Sequence, residues 1–104
     1  MRDVRPAAVA GTFYPGNAAE LAVAVRECLA GTAAPVAPAA SPKALIVPHA
    51  GYVYSGPIAA GAYARLASLR STIRRVVILG PTHRVAVRGL ALPSARAFAT
   101  PLGE

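Results

Sequence analysis

Two histidines stand in near-equivalent settings. Ala44-Leu45-Ile46-Val47 leads into Pro48-His49, and Val76-Val77-Ile78-Leu79 leads into Gly80-Pro81-Thr82-His83. Neutral imidazole suits iron, copper, zinc or nickel, and two histidines with one anionic group make the facial arrangement of non-haem iron sites. If the two apolar runs are neighbouring parallel strands, about 4.8 Å apart, both rings gather beyond the carboxyl ends, where α/β sheets collect ligand groups. His49 and His83 are therefore the candidate metal ligands. Beside them, Gly51 lets backbone approach the site closely, and Tyr52 and Tyr54 offer phenols as hydrogen-bond donors or proton shuttles.

Each of these residues also has a structural reading. A single loop histidine serves as an ordinary hydrogen-bonded group, and a Tyr-x-Tyr beside a helix start packs its rings and wets its hydroxyls. The equivalent placement of two histidines is what favours ligation. A third ligand is not in evidence: the only acids are Asp3, Glu20, Glu27 and Glu104, none at a strand end. Ser55 lacks the Gly-x-Ser-x-Gly elbow and a nearby Asp to orient a base, so a helix cap is its better role than a nucleophile.

The elements that must position these groups follow from the pattern. Residues 1–16 read as an irregular arm carrying Phe13 and Tyr14, which either plug the arm onto the core or line a pocket. Asn17 and Glu20 form a capping-box-like start to a helix. Leu21, Val25, Cys28 and Leu29 make its buried stripe, and Gly31 its stop. A cysteine on such a stripe is structural. Residues 32–42, with Pro35, Pro38 and Pro42, form an extended connector. A strand at 44–47, a helix capped by Ser55 with Pro57 in its first turn, and a strand at 75–79 make a βαβ unit with parallel strands. Ile58, Ala59, Ala62, Leu66 and Leu69 mark that helix's buried face, and residues 89–92 add a short strand. The expected fold class is α/β: a βαβ core of a mostly parallel sheet flanked by helices. Unbroken apolar strands imply cover on both faces, which two helices cannot supply. The 104 residues thus read as the N-terminal portion of a single larger α/β domain, or as a chain that depends on a partner.

Composition narrows the function classes. The chain is one domain at most, too apolar for disorder at 55% hydrophobic residues. No apolar run reaches the roughly 18 residues of a membrane span. Asp3 and Pro6 interrupt any signal-peptide core, and a lone cysteine fits a reducing compartment, so the expected location is cytoplasmic. The net charge of +7 raises nucleic-acid binding, but the arginines are scattered and no aromatic residues interleave with them. Neither nucleic acid nor membrane is an expected partner.

The sequence resembles the Memo family, called AmmeMemoRadiSam system protein B in bacteria and archaea. The likeness rests on Arg5-Pro6, Ala10-Gly11-Thr12-Phe13-Tyr14-Pro15, Pro48-His49-Ala50-Gly51-Tyr52-Val53-Tyr54-Ser55-Gly56, Leu79-Gly80-Pro81-Thr82-His83 and Thr100-Pro101-Leu102-Gly103. It implies a fold like the class III extradiol dioxygenases, with His49 and His83 matching two metal-ligand positions. It further implies that Phe13 is a pocket aromatic and that Tyr54 lines the pocket as acid/base or donor. The family's third ligand is a cysteine from the C-terminal part; Cys28 does not match it, so that ligand is not on this chain. Iron or copper is the implied metal, a small molecule or peptide the implied occupant, and radical-SAM and AMMECR-type proteins the implied partners. Two functions stay open on these residues: a metal-dependent oxidoreductase or dioxygenase-like protein, and a non-catalytic binding module or metal carrier using the same pocket.

Overall fold

The computed structural model describes residues 3–32 and 41–104. The elements run β1 (Val4–Arg5), α1 (Ala18–Ala30), α2 (Tyr52–Tyr63), a 3-10 turn (Ala64–Leu69) and β2 (Ala97–Phe98). Most of the proline-rich connector expected over 32–42 lies outside the described residues.

The first helix starts where its cap residue dictates. Asn17 Oδ1 accepts the N–H of Glu20 at 3.1 Å, satisfying one of the donors that a helix start leaves without a partner. Glu20 also places a carboxylate at the positive end of the helix dipole. At the other end Gly31 keeps a right-handed φ of −74°. Its N–H returns to the Glu27 carbonyl at 3.0 Å, so the stop does not draw on glycine's left-handed freedom. Leu21 is buried and Val25 and Cys28 half-buried, but Leu29 is exposed. The buried stripe is one residue narrower than its spacing predicts.

α1 packs against α2 through small residues. A β-carbon built on Gly56 would lie 3.0 Å from Cys28 Sγ, so the thiol fills the space that a side chain at 56 would take. Cys28 thus takes the structural place expected of it.

α2 corrects the sequence reading at three points. It begins at Tyr52, with Gly51 as N-cap, and the Gly51 carbonyl accepts the N–H groups of Tyr54 and Ser55, both at 2.9 Å. Ser55 is therefore not the cap. It is buried one turn inside, and its Oγ accepts the Ala50 N–H at 2.9 Å. Pro57 accordingly falls in the second turn, where it has no N–H for the Val53 carbonyl. Ile58, expected in the core, is 68% exposed, while Ser55 and Ala60 face inward. Ala59, Ala62, Leu66 and Leu69, the rest of the expected face, are half-buried and lie on the same side as Ser55.

The sheet forms elsewhere than expected. β1 and β2 pair in parallel, Val4 opposite Ala97 and Arg5 opposite Phe98, extended by Arg96 N–H to the Asp3 carbonyl at 2.7 Å and Ala99 N–H to the Arg5 carbonyl at 2.8 Å. The arm, expected to be irregular, and a C-terminal stretch to which no element was assigned thus supply the only ladder among the described residues. Strands of two residues carry no periodicity to detect. The Arg5 guanidinium lies 5.0 Å over the Phe98 ring, a contact worth about 0.5–1 kcal/mol at an exposed site.

The apolar runs at 44–47, 75–79 and 89–92 are not assigned as strands, and no backbone hydrogen bond joins any of them to another. The βαβ ladder is therefore not closed, because a strand pairs only with what lies directly beside it. Along 44–47, Leu45 and Val47 are half-buried while Ala44 and Ile46 are exposed, the period of an extended chain with one covered face. Val76, Val77, Ile78 and Leu79 are exposed throughout. The established architecture is a small α/β arrangement of two helices and a short parallel sheet. No described helix is long and apolar enough to cross a membrane.

Burial is sparse. Leu21, Ala60 and Ser55 are the buried residues among those described, and the chain exposes 9077 Å². A folded monomer of 10.5 kDa exposes roughly 5,400 Å².

The Cys28–Gly56 contact makes a double-mutant test. Gly56→Ala gains about 1 kcal/mol of helix propensity but crowds the thiol. It should lower the urea midpoint of the helical circular dichroism signal in the native background and raise it in Cys28→Ala. Equal effects in both backgrounds would show that the two residues do not meet.

Candidate metal centre

The loop carrying His49 is pinned on two sides. Behind it, the Ala50 N–H is held by the buried Ser55 hydroxyl. Ahead of it, the Tyr52 N–H donates to the Phe13 carbonyl at 2.8 Å, which ties the N-terminal arm to the start of α2. The arm itself turns at Gly11, whose φ of +82° is a conformation that glycine adopts without steric cost. The Gly11 N–H closes the turn on the Tyr14 carbonyl at 2.7 Å.

His83 arrives from the loop after 75–79. Its Nε2 lies 3.3 Å from Nε2 of His49, with ring centroids 5.4 Å apart and planes tilted by 40°. Two chemistries suit that approach. One imidazole can donate its N–H to the other's lone pair, which requires opposite tautomers. Alternatively both lone pairs can address one ion, since two nitrogens each 2.0–2.1 Å from a shared metal lie roughly 3 Å apart. The separation and the donor type therefore fit two positions of a metal's coordination shell. Among the described residues no third His, Cys, Asp or Glu joins them.

Both rings line a cleft of about 1040 Å³, together with Arg5, Phe13, Ser55 and Arg84. The lining residues include two arginines and no Asp or Glu, which gives the cleft a positive field. Arg5 and Arg84 were not singled out as site residues from the sequence. The available signal was position alone: Arg5 opens the first shared motif, and Arg84 follows His83 directly.

The remaining candidates divide. Phe13 lines the cleft and is 45% exposed. Gly51 caps α2, and a β-carbon there would meet the Phe13 carbonyl at 3.5 Å, an ordinary contact. The close backbone approach expected of it is therefore not what requires glycine. Tyr52 lines a smaller adjoining hollow shared with His49 and Phe13, and its ring lies 5.7 Å from that of Tyr14 at 48°. Burial first, then Tyr14, Cys28 and Tyr63, raises the Tyr52 pKa above its ordinary value, so the phenol keeps its proton and can donate but not abstract. Tyr54 lines neither hollow and is 79% exposed. Once α2 begins at Tyr52, residues two apart project about 200° from each other, and the two tyrosines cannot both face the histidines.

A family model described as Memo-like protein matches residues 5–104. Among curated relatives, a MEMO1 family protein of Ignicoccus hospitalis is 42% identical over 96% of the chain and 37% of its own length. A MEMO1 family protein of Methanocaldococcus jannaschii is 37% identical over the whole chain and 38% of its own length. The protein memo-1 homolog of Caenorhabditis elegans is 39% identical over 96% of the chain and 27% of its own length. The chain thus spans about a third of the length of the relatives it matches. No solved structure matches it significantly.

The raised Tyr52 pKa fixes a sign. The folded state disfavours the phenolate, so stability is fully present below the ordinary tyrosine pKa of 10.0 and falls as pH rises through the higher folded value. Urea midpoints measured from about pH 9 upward, in steps of about one unit, should decline more steeply in the native sequence than in Tyr52→Phe. Parallel curves would place the Tyr52 hydroxyl in open solvent.

Proposed function

The chain belongs to the Memo-like protein family, and from that premise we propose that its histidine cleft holds a redox metal, iron or copper, for oxidoreductase or dioxygenase-like chemistry. The observation that carries this reading is the 3.3 Å approach of two imidazole nitrogens contributed by loops 34 residues apart. A redox metal held there supplies electron transfer and oxygen chemistry. A fold like the class III extradiol dioxygenases, which the family likeness implies, would agree with this reading, and the third ligand is proposed to come from polypeptide outside the matched stretch.

The chain's own residues divide the remaining work. His49 and His83 hold the ion. Phe13 supplies an apolar wall, and Arg5 and Arg84 orient whatever negative charge an occupant carries. Tyr52, kept protonated, donates a hydrogen bond from the adjoining hollow. Tyr54, 79% exposed in this chain, remains the proposed acid/base or donor that the family likeness implies.

One observation favours a second reading, a binding module or metal carrier that does no catalysis. Apart from the two histidines, the cleft lining offers no group that titrates near neutral pH. A peptide or a transferred metal ion would need nothing more, and radical-SAM and AMMECR-type proteins are the proposed recipients.

Anaerobic loading with Fe(II), and separately with Cu(II), followed by elemental analysis, tests the site. His49→Ala and His83→Ala should each lower bound metal by about tenfold or more with the helical signal unchanged. Stoichiometric metal in both variants would sink the assignment. Oxygen uptake by the loaded protein in the presence of catechols supports the oxidoreductase; metal without uptake supports the carrier.

A further inference from the structure

We propose that the histidine cleft takes an organic carboxylic acid with an apolar body. Arg5 and Arg84 anchor its carboxylate, and its body lies past His49 in the adjoining hollow. The proposal rests on the reading of this cleft as the functional site and deepens it, but does not require the metal.

The first observation is a division of charge across the wall that carries His49. The cleft and the smaller hollow share Val9, Phe13, Pro48, His49, Ala50 and Ser55 among their lining residues, so the two spaces meet along one wall. On the cleft side stand Arg5 and Arg84, with no Asp or Glu. The hollow, about 290 Å³, is lined by no Arg, Lys, Asp or Glu. Beyond the shared wall it is bounded by Tyr14, Tyr52, Tyr63, Val47 and Ala59, with Gly56. Cations at one end and apolar and aromatic groups at the other match an occupant of the same asymmetry.

The second observation is the state of the arginines. The ion pair among the described residues joins Arg96 to Asp3, so neither Arg5 nor Arg84 is engaged by an acid there. Arg5 is fixed at both ends, by its backbone in the ladder with β2 and by its guanidinium 5.0 Å over the Phe98 ring. A stacked guanidinium keeps its in-plane N–H donors for a bidentate carboxylate, and such a side chain has less freedom to lose on binding. Arg84 directly follows His83, whose ring is set against that of His49.

The third observation selects the anion. A polyphosphate or a nucleic acid calls for many cations or a nest of backbone N–H groups. Here two arginines serve a cleft whose other lining residues, the histidines and Ser55 apart, are Ala, Val, Pro and Phe. A single carboxylate on an apolar body needs no more than that.

The test titrates the 104-residue chain, with a chelator present and at low salt, with butyrate, hexanoate, hexanamide and inorganic phosphate, read by nuclear magnetic resonance. Working without metal separates this result from the elemental analysis, which alone decides whether the histidines hold an ion. Hexanoate should bind about fourfold more tightly than butyrate for each added methylene, and roughly tenfold or more above hexanamide. Arg5→Gln and Arg84→Gln should each lower its affinity by about tenfold. Ala59→Leu, which fills the hollow, should abolish the gain from butyrate to hexanoate while leaving butyrate binding in place. Overhauser contacts from the hexanoate methyl to the Tyr52 and Tyr63 rings give the same information in the native chain, whether or not the Ala59 variant folds. Hexanoate no tighter than hexanamide, affinity unchanged in both arginine variants, methyl contacts elsewhere on the chain, or phosphate bound more tightly than hexanoate would each overturn the proposal. So would the absence of saturable binding by any of the four probes.

Discussion

The hydrogen bond from the Ala50 N–H to the buried Ser55 hydroxyl is the constraint on which the site depends. It folds the Pro-His-Ala-Gly loop back onto the first turn of α2, and so fixes where His49 can point. Without it the loop would carry an unpaired amide beside a buried hydroxyl, a loss of about 1–3 kcal/mol. The bond from the Tyr52 N–H to the Phe13 carbonyl acts from the other side and brings the arm's aromatic residues to the cleft. Two backbone amides just C-terminal to His49, those of Ala50 and Tyr52, hold the loop whose imidazole meets His83. Neither bond involves the open apolar runs at 44–47 and 75–79.

What the sequence disclosed, and what it did not, follows the range of each signal. Asn17, Glu20, Leu21 and Gly31 bracketed α1 correctly because capping and amphipathic spacing act within a few residues. The pairing of His49 with His83 was legible because each ends an apolar run in the same way. The start of α2 was misjudged, since Ser55 is a strong cap type and Gly51 a weak one. Tertiary bonds to Phe13 and Ser55 decided that boundary, and sequence spacing does not contain them. Tyr54 depends on the same boundary: on a helix begun at Tyr52 it cannot share one side of the helix with Tyr52.

The strands tell the complementary story. Residues 44–47 and 75–79 have the composition of buried parallel strands, yet neither run is a strand and 76–79 are exposed. Pairing, however, is a property of neighbours, and local pattern reports none. Conversely Val4–Arg5 and Ala97–Phe98 form a true ladder with almost no pattern to announce it.

That ladder has a kinetic meaning of its own. Val4 and Ala97 are separated by nearly the whole chain, and closing a loop of that length costs roughly 4 kcal/mol of chain entropy. Two residue pairs, a handful of flanking bonds and one arginine over a phenyl ring repay little of it by themselves. The clasp can therefore close only after the helices have docked and shortened the effective loop. By that reckoning it is a fastener for an arrangement built by shorter-range forces.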